Sequence, residues 1–556
     1  MKTVIIGGVA GGASAAARLR RLDEAAQIVI LERGGFVSFA NCGLPYYIGG
    51  VITDREDLTL QTPESFKARF RIDVRIFNEA IKIDPQAGTV TVKNLRTGQI
   101  YEESYDNLIL SPGAEPIKPN IEGADREFVF TLRNIPDTLK IKNYIDTAGP
   151  KSAVVIGGGY IGTEMAENLV EAGLDVSIVE LSDHLIASLD GDMAADVHRY
   201  LKNKGIKLYL RNGVTAVKNR TVVLQRGQVA ADMVILSVGV RPETALAKAC
   251  GISVNARGSI IVDCAMRTNF SNIYAVGDAV EVKDFVTGRP AFVPLAGPAN
   301  KQGRIAADNI AGYDSVYSGT QGSAVLKLFD MTVASTGLNE KSAEAAGIEY
   351  DKTYVYSGSH ASYYPGATNM SIKVLWDKAT HKLLGAQIVG FDGVDKRMDV
   401  LASAVRFGAE VTDLTDLQLC YAPPFGSAKD PVNMAGFVAE NVITGKVKQF
   451  FWHDVERLPR DGSVTLLDVR TKTEAARGMI DGFVNIPLDS LRENLDRIAK
   501  DKPVYVHCHS GLRSYIACRI LTGNGYDCYN LAGGFRLYES VINERTVPEY
   551  ICTECK

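Results

Sequence analysis

The chain has 556 residues, which at roughly 100–200 residues per domain implies three or four domains rather than one core. Hydrophobic residues make up 46% and charged residues 23%, ordinary proportions for a globular chain and too polar for a membrane span. A net charge of −4 gives no general affinity for nucleic acid, so an anionic ligand must meet a local basic patch.

The first strand is expected at once, at Thr3–Ile6, with only Met1 and Lys2 ahead of it. Glycines interrupt the small apolar run up to Ala17 and arginines at 18, 20 and 21 close it, which is not a secretory leader. Nine cysteines, at 42, 250, 264, 420, 508, 518, 528, 552 and 555, are too scattered for a secreted disulfide framework. The expectation is a cytoplasmic protein with free thiols in separate roles.

Val4 to Gly12 is a buried-strand run followed by a glycine turn, and Ala13 to Leu22 reads as a helix with small residues facing the sheet. Gly7 and Gly12 occupy the outer positions of a G-x-G-x-x-G phosphate cradle and Val9 replaces the middle glycine. Gly8, Ala10 and Gly11 complete the turn. Glu32, 20 residues past Gly12 at the end of the strand Gln27–Leu31, is placed to accept ribose hydroxyls, with Arg33 beside it.

The next segment, Ser38-Phe39-Ala40-Asn41-Cys42-Gly43-Leu44-Pro45-Tyr46-Tyr47, sets a single cysteine 30 residues after Gly12. A first βαβ unit brings a flavin or nicotinamide to the ends of its strands, so Cys42 in the following loop can exchange electrons with the ring. Further on, Lys67, Arg69 and Arg71 form a basic cluster that is either a phosphate grip or a solvated charged face. Ser111-Pro112-Gly113-Ala114 closes another strand.

Ala153 to Gly162 repeats the fingerprint with Gly157, Gly159 and Gly162 all present, followed by a helix over Thr163–Ala172. Its next strand, Asp175–Val179, ends in Glu180, 18 residues beyond Gly162, where a carboxylate repels a 2′-phosphate and favours NADH over NADPH. Gly239 is a further candidate at this nucleotide. The run from Thr268 through Ile273-Tyr274-Ala275-Val276-Gly277-Asp278 ends another strand and resembles the flavin motif of two-dinucleotide reductases. That likeness implies that Asp278, with Gly277, meets the ribityl chain of FAD and that a helix from about Gln302 aims its N-terminus at the isoalloxazine.

Taken together, residues 1–445 resemble the pyridine nucleotide-disulfide oxidoreductases, and within them the single-cysteine branch of NADH oxidase, NADH peroxidase and coenzyme A disulfide reductase. The resemblance implies FAD and NADH as cofactors and a Cys42 that cycles between thiolate and an oxidised or mixed-sulfur form. Tyr363-Tyr364-Pro365-Gly366 and Tyr421-Ala422-Pro423-Pro424 are similar to the coenzyme A disulfide reductases, which implies that Tyr363 and Tyr421 reach a partner subunit's thiol in a homodimer and protonate the leaving thiolate. The alternative is a pair of interface aromatics. The same resemblance implies a coenzyme A site built from Ser14, Arg18, Arg21, Ser38, Asn41, Lys67, Arg69, Arg71, Asn300 and Lys429, with Phe70 where some relatives carry lysine. The branch's oxidases and peroxidases carry a histidine on the first helix, and none lies between Met1 and Leu22.

Gly445 to Arg460 is basic and aromatic without a period and reads as a linker over 446–460. Strands are then expected at Thr465–Arg470, Gly482–Pro487 and Val504–Cys508, and a helix at Tyr515–Leu521. Between the last two, Cys508-His509-Ser510-Gly511-Leu512-Arg513-Ser514 resembles a rhodanese active-site loop. Such a loop wraps backbone N–H groups around one sulfur at a helix N-terminus and stabilises thiolate or persulfide. Arg513 either points into the loop or anchors it, Asp468 and Arg470 resemble the family's structural Asp-x-Arg element, and a Cys-x5-Arg phosphatase loop is the competing reading. Cys552 and Cys555 form a lone C-x-x-C that cannot complete a zinc site; the pair reads as part of a disordered tail or as a mobile dithiol in a sulfur relay, and no metal is expected.

The fold class is thus α/β: two Rossmann-like dinucleotide-binding domains, an α+β dimerisation domain and a C-terminal rhodanese domain. The expected boundaries are FAD domain 1–120 and 245–322, NAD domain 121–244, dimerisation domain 323–445, rhodanese 461–545 and tail 546–556. The expected activity is NADH-dependent reduction of coenzyme A persulfide, polysulfide or coenzyme A disulfide at Cys42, with sulfur relayed by Cys508. The alternatives are an NADH oxidase or peroxidase, and a protein that delivers sulfur to acceptor proteins. No membrane or nucleic-acid partner is expected.

Overall fold

The computed structural model describes residues 1–546; Cys552 and Cys555 lie outside them. The described residues fall into two compact units, residues 1–182 with 205–322, and 183–204 with 323 onward.

The first unit holds two parallel five-stranded sheets. One runs in the order Ile273–Ala275, Asn107–Leu110, Lys2–Ile6, Gln27–Glu32 and Asp73–Ile76. The other runs Lys207–Tyr209, Asp175–Val179, Ser152–Ile156, Met233–Leu236 and Val129–Phe130. Parallel strands covered on both faces need continuous apolar sequence, and Val4, Ile5, Val154 and Val155 are completely buried. At roughly 1.5–3 kcal/mol for each such side chain, these short strands anchor the turns that follow them. Each sheet carries an antiparallel three-stranded layer, Asn78–Ser104 and Val214–Ala230.

The helix Ala10–Leu22 packs on Ala296–Ile310 through Ala15, Ala16, Ala306 and Ala307. A Cβ on Gly303 would stand 2.3 Å from the Gly11 carbonyl oxygen, so glycine there allows the two helices to close. Ala296–Ile310 starts six residues before the expected Gln302. Gln302 is an interior residue that accepts the Gly277 N–H at 2.7 Å, and the helix N-terminus lies at Ala296. The helix after the first glycine turn likewise begins at Ala10, and that after the second spans Tyr160–Glu171.

In the second unit an antiparallel sheet runs Ala324–Leu328, Met331–Gly337, Leu383–Gly390, Asn369–Asp377 and Tyr350–Gly358. On its strand Asn369–Asp377, Lys373 is fully buried, its ammonium 2.8 Å from Asp190 and 2.9 Å from Asp192, with Glu340 completing the group. These three carboxylates are the one potential metal-holding group among the described residues, and a lysine sits among them.

A second sheet in this unit is parallel, in the order Lys448–Phe450, Cys528–Leu531, Val504–His507, Thr465–Asp468 and Val484–Asn485. Lys448–Phe450 lies inside the segment expected as a linker and is instead its edge strand. The strand expected over Gly482–Pro487 shrinks to Val484–Asn485, and the helix expected at Tyr515–Leu521 extends over Leu512–Gly523. Among the described residues no helix is long and apolar enough to cross a membrane.

Candidate functional site

Two thiols mark two sites. At the first, the glycine turn after Lys2–Ile6 is forced by sterics: Gly7 has φ +94°, and a Cβ on Gly12 would lie 1.9 Å from the Gly7 carbonyl oxygen. The second fingerprint repeats this, with φ +104° at Gly157 and 2.0 Å between a Gly162 Cβ and the Gly157 oxygen. A Cβ on Gly159 meets nothing within 4 Å, so the protein itself tolerates a side chain at the middle position, as Val9 shows in the first copy. Glu32 accepts the Gly8 and Gly34 N–H groups at 3.0 and 2.7 Å, and Glu180 accepts those of Gly158 and Ser182, each at 2.7 Å. Each acid thus ties its strand end to its glycine turn. Ser111, Gly113 and Gly277 border the first turn: a Cβ on Gly7 would meet the Ser111 oxygen at 2.1 Å, and Gly113 and Gly277 have φ +75° and +79°. Gly239 has φ +104°. Arg33 pairs with Glu243 at 2.7 Å.

Cys42 lies in the one-turn helix Asn41–Gly43, which runs into Leu44–Ile48. One side of the residue is open to solvent. Burial on the other side, then the charges of Glu164 and Asp278, push the thiol above its ordinary pKa. Asp278 is itself pushed up by burial, against the pull of Arg133. Glu164, two residues past Gly162, is raised to about 7 by burial and then by Glu167. The Tyr46 hydroxyl reaches Glu164 at 3.5 Å and is raised to about 12, chiefly by burial. Asn41 Oδ1 is buried without a hydrogen-bond partner.

Beside this loop a cavity of about 400 Å³ is lined by Ser14, Arg18, Arg21, Ser38 and Asn300 together with Ala13, Ala17, Gln61, Phe66, Phe70 and Arg304. The Ser14 hydroxyl donates to Asn300 at 2.6 Å, and Arg18 is held by Asp308 at 2.6 Å. Lys67, Arg69, Arg71 and Asn41 are not among the lining residues. Lys67 and Arg69 are exposed on the helix Pro63–Phe70, and Arg71 caps it in the left-handed conformation with φ +49°. That helix turns its apolar face, Phe66 and Phe70, inward and its basic face to solvent. Lys429 belongs to the other unit and is exposed.

In the second unit Tyr363 and Tyr421 are exposed, and their hydroxyls are 2.8 Å apart. That hydrogen bond raises the Tyr363 pKa.

The Cys508 site is compact. Cys508 is completely buried, and its sulfur accepts the Gly511 N–H at 3.1 Å and the Ser514 hydroxyl at 3.2 Å. Gly511, at φ +98°, turns the loop into the helix Leu512–Gly523. Arg513 does not enter the loop: both of its terminal nitrogens donate to Glu474, at 2.7 and 2.6 Å. Arg470 grips Asp468 at 2.8–3.1 Å. Tyr46 and Ser514 fall inside the two cysteine motifs with no role expected of them, and Glu164, Gln61, Phe66, Arg304 and Glu474 fall outside both. Of these, Glu164 had a usable signal, an acid directly after a complete glycine fingerprint.

Family models match at residues 1–299 (pyridine nucleotide-disulphide oxidoreductase), 323–431 (its dimerisation domain) and 452–540 (rhodanese-like domain). The chain is 38% identical to the coenzyme A disulfide reductase of Staphylococcus haemolyticus over 443 residues, 79% of this chain and 100% of that protein. The crystal structure of reduced Bacillus anthracis CoADR-RHD is 50% identical, with a TM-score of 0.96 over 98% of both chains. The NAD-dependent persulfide reductase from A. fulgidus is 36% identical, with a TM-score of 0.91 over 97% of this chain and 100% of that one.

Proposed function

Because the chain belongs to the pyridine nucleotide-disulphide oxidoreductases and carries a rhodanese-like domain, we propose that it uses NADH to reduce coenzyme A persulfide or disulfide at Cys42, with Cys508 as sulfur carrier. The observation that carries this reading is Cys42 itself: it is a free, exposed thiol beside the first glycine turn, open to a bond with an external sulfur. The glycine turn at Gly7–Gly12, Glu32, Ser111, Gly113, Gly277 and Asp278 fit FAD, and the unpartnered Asn41 oxygen offers a further acceptor. When bound, FAD supplies Cys42 with the two electrons taken from NADH. The second turn, with Glu180 at its strand end, fits NADH and disfavours a 2′-phosphate.

Cys42 thiolate attacks the terminal sulfur of coenzyme A persulfide: a Cys42–S bond forms, the sulfur–sulfur bond of the persulfide breaks, and coenzyme A thiolate leaves. Two-electron reduction of the resulting Cys42 persulfide regenerates the thiolate and releases hydrosulfide. Arg21, with Arg18 and Arg304 sharing the single carboxylate of Asp308, leaves net positive charge at the cavity, and Phe66 and Phe70 form a flat apolar wall, which suits a phosphorylated adenine nucleotide. In a homodimer, the Tyr363–Tyr421 pair serves as proton donor to the thiolate leaving the partner subunit's Cys42.

Steady-state NADH consumption with coenzyme A persulfide, coenzyme A disulfide and oxygen tests this. Cys42→Ser is expected to abolish NADH-linked turnover, while Cys508→Ser lowers only the activity that depends on a sulfur donor. Turnover with oxygen alone equal to that with persulfide overturns the proposal. Sulfur transfer that survives Cys42→Ser as the sole activity favours a sulfur-delivery protein instead.

A further inference from the structure

The two arginines nearest the Cys508 loop in sequence and motif, Arg513 and Arg470, are each held by a carboxylate. Arg513 donates to both oxygens of Glu474, and that carboxylate is held in place by the Thr471 N–H at 3.0 Å and hydroxyl at 2.8 Å. Thr471 and Glu474 form the capping box that opens the helix Lys472–Ala476, so the carboxylate is built into the fold rather than free to swing. Arg470 spends its guanidinium on Asp468 and on the Gly478 carbonyl at 2.7 Å. Arg536, whose backbone N–H donates to the His509 carbonyl oxygen at 2.9 Å, stands 3.8 Å from Asp196. His507, buried against Phe483 and Phe535, is lowered to about 4 by burial and is uncharged at neutral pH.

Arg513 and Arg470 each face a carboxylate, Arg536 shares Asp196 with Arg199, which lies closer at 3.2 Å, and the hydrogen bonds to the sulfur come from an N–H and a hydroxyl, not from an arginine. An incoming dianion needs a cation to offset its charge on entering such a loop. A persulfide on a thiol carrier brings at most one charge at its sulfur.

We propose that Glu474 sets the donor class of Cys508: by holding Arg513 out of the loop it admits thiol-borne persulfides and disfavours thiosulfate. This rests on the reading of Cys508 as sulfur acceptor. With a persulfide, Cys508 thiolate attacks the terminal sulfur of R–S–SH, the S–S bond breaks, and Cys508 persulfide and R–S⁻ result. With thiosulfate, the same attack takes the outer sulfur, one proton is taken up, and sulfite leaves as the dianion.

The test uses the full-length holoenzyme and measures kcat/KM for loading one sulfur onto Cys508 from cysteine persulfide and from thiosulfate, read by intact mass. The wild-type protein is expected to favour cysteine persulfide. Glu474→Gln, which frees Arg513, is expected to shift the ratio toward thiosulfate by about tenfold or more, the scale of one near-surface charge contact, and to make sulfite a competitive inhibitor. The double variant Glu474→Gln/Arg513→Gln, which keeps the pair but removes both charges, is expected to return the ratio to that of the wild type; a merely structural role for Glu474 would not reverse in this way. Equal use of both donors by the wild type, or an unchanged ratio in Glu474→Gln, overturns the inference and leaves the sulfur-acceptor reading standing. No loading of Cys508 from either donor overturns that reading itself.

Discussion

At the scale of single residues, the chemistry of Cys42 is set by neighbours from distant sequence. Its thiol is raised by burial, by Glu164 and by Asp278, which lowers the share of thiolate available for attack. Nearby negative charge disfavours a second one, and removing it works in the opposite direction. Glu164→Gln is therefore expected to lower the midpoint pH of Cys42 alkylation by iodoacetamide by roughly half a unit to one unit. An unchanged or higher midpoint would show that Glu164 does not act on the sulfur. Cys42, Cys508 and the glycines were legible in sequence because each sits in a contiguous motif. The Glu164 pair with Tyr46 was not, since its members are 118 residues apart.

At the scale of elements, glycine turns were read correctly because their constraint is local: the strand end, the turn and the helix start are neighbours in the chain. A Cβ at Gly12 cannot be accommodated by rotating a side chain, since the obstacle is the Gly7 carbonyl 1.9 Å away. Gly12→Ala is expected to push the helix Ala10–Leu22 off its strand and lower FAD content, seen as a reduced flavin-to-protein absorbance ratio in the purified protein. The matching Gly162→Ala is expected to raise the KM for NADH while flavin content holds. A full flavin load in Gly12→Ala would contradict the steric argument. Helix starts were read late for the same local reason. Gly297 and Pro298 look like breakers, yet proline is tolerated in the first turn, where its missing N–H has no partner to lose. The strand Lys448–Phe450 is three residues long, too short to show an alternating period.

At the scale of the molecule, the second unit leaves Tyr363, Tyr421 and Phe425 exposed, Phe425 at 70%. Large aromatics in a cluster of this kind mark interfaces, and here they lie within the span matched by the dimerisation-domain model. Phe425→Asp is expected to shift sedimentation toward monomer and to cut NADH-linked persulfide turnover by about tenfold or more, while Cys508 still takes up sulfur. A stable dimer with full turnover would place the interface elsewhere.

Family, cofactor folds and the two candidate thiols followed from the amino-acid sequence by itself, because phosphate-binding turns and a sulfur-cradling loop are encoded by a few adjacent residues whose backbone geometry admits little else. Tertiary structure decided which charges face those residues. It placed Glu474 on Arg513 across 39 positions, put Phe66 and Phe70 rather than the basic cluster at the cavity, and joined Lys448–Phe450 to a sheet formed from far downstream. Such pairings depend on strand order and on which helix covers which face, and no local period in a chain records either.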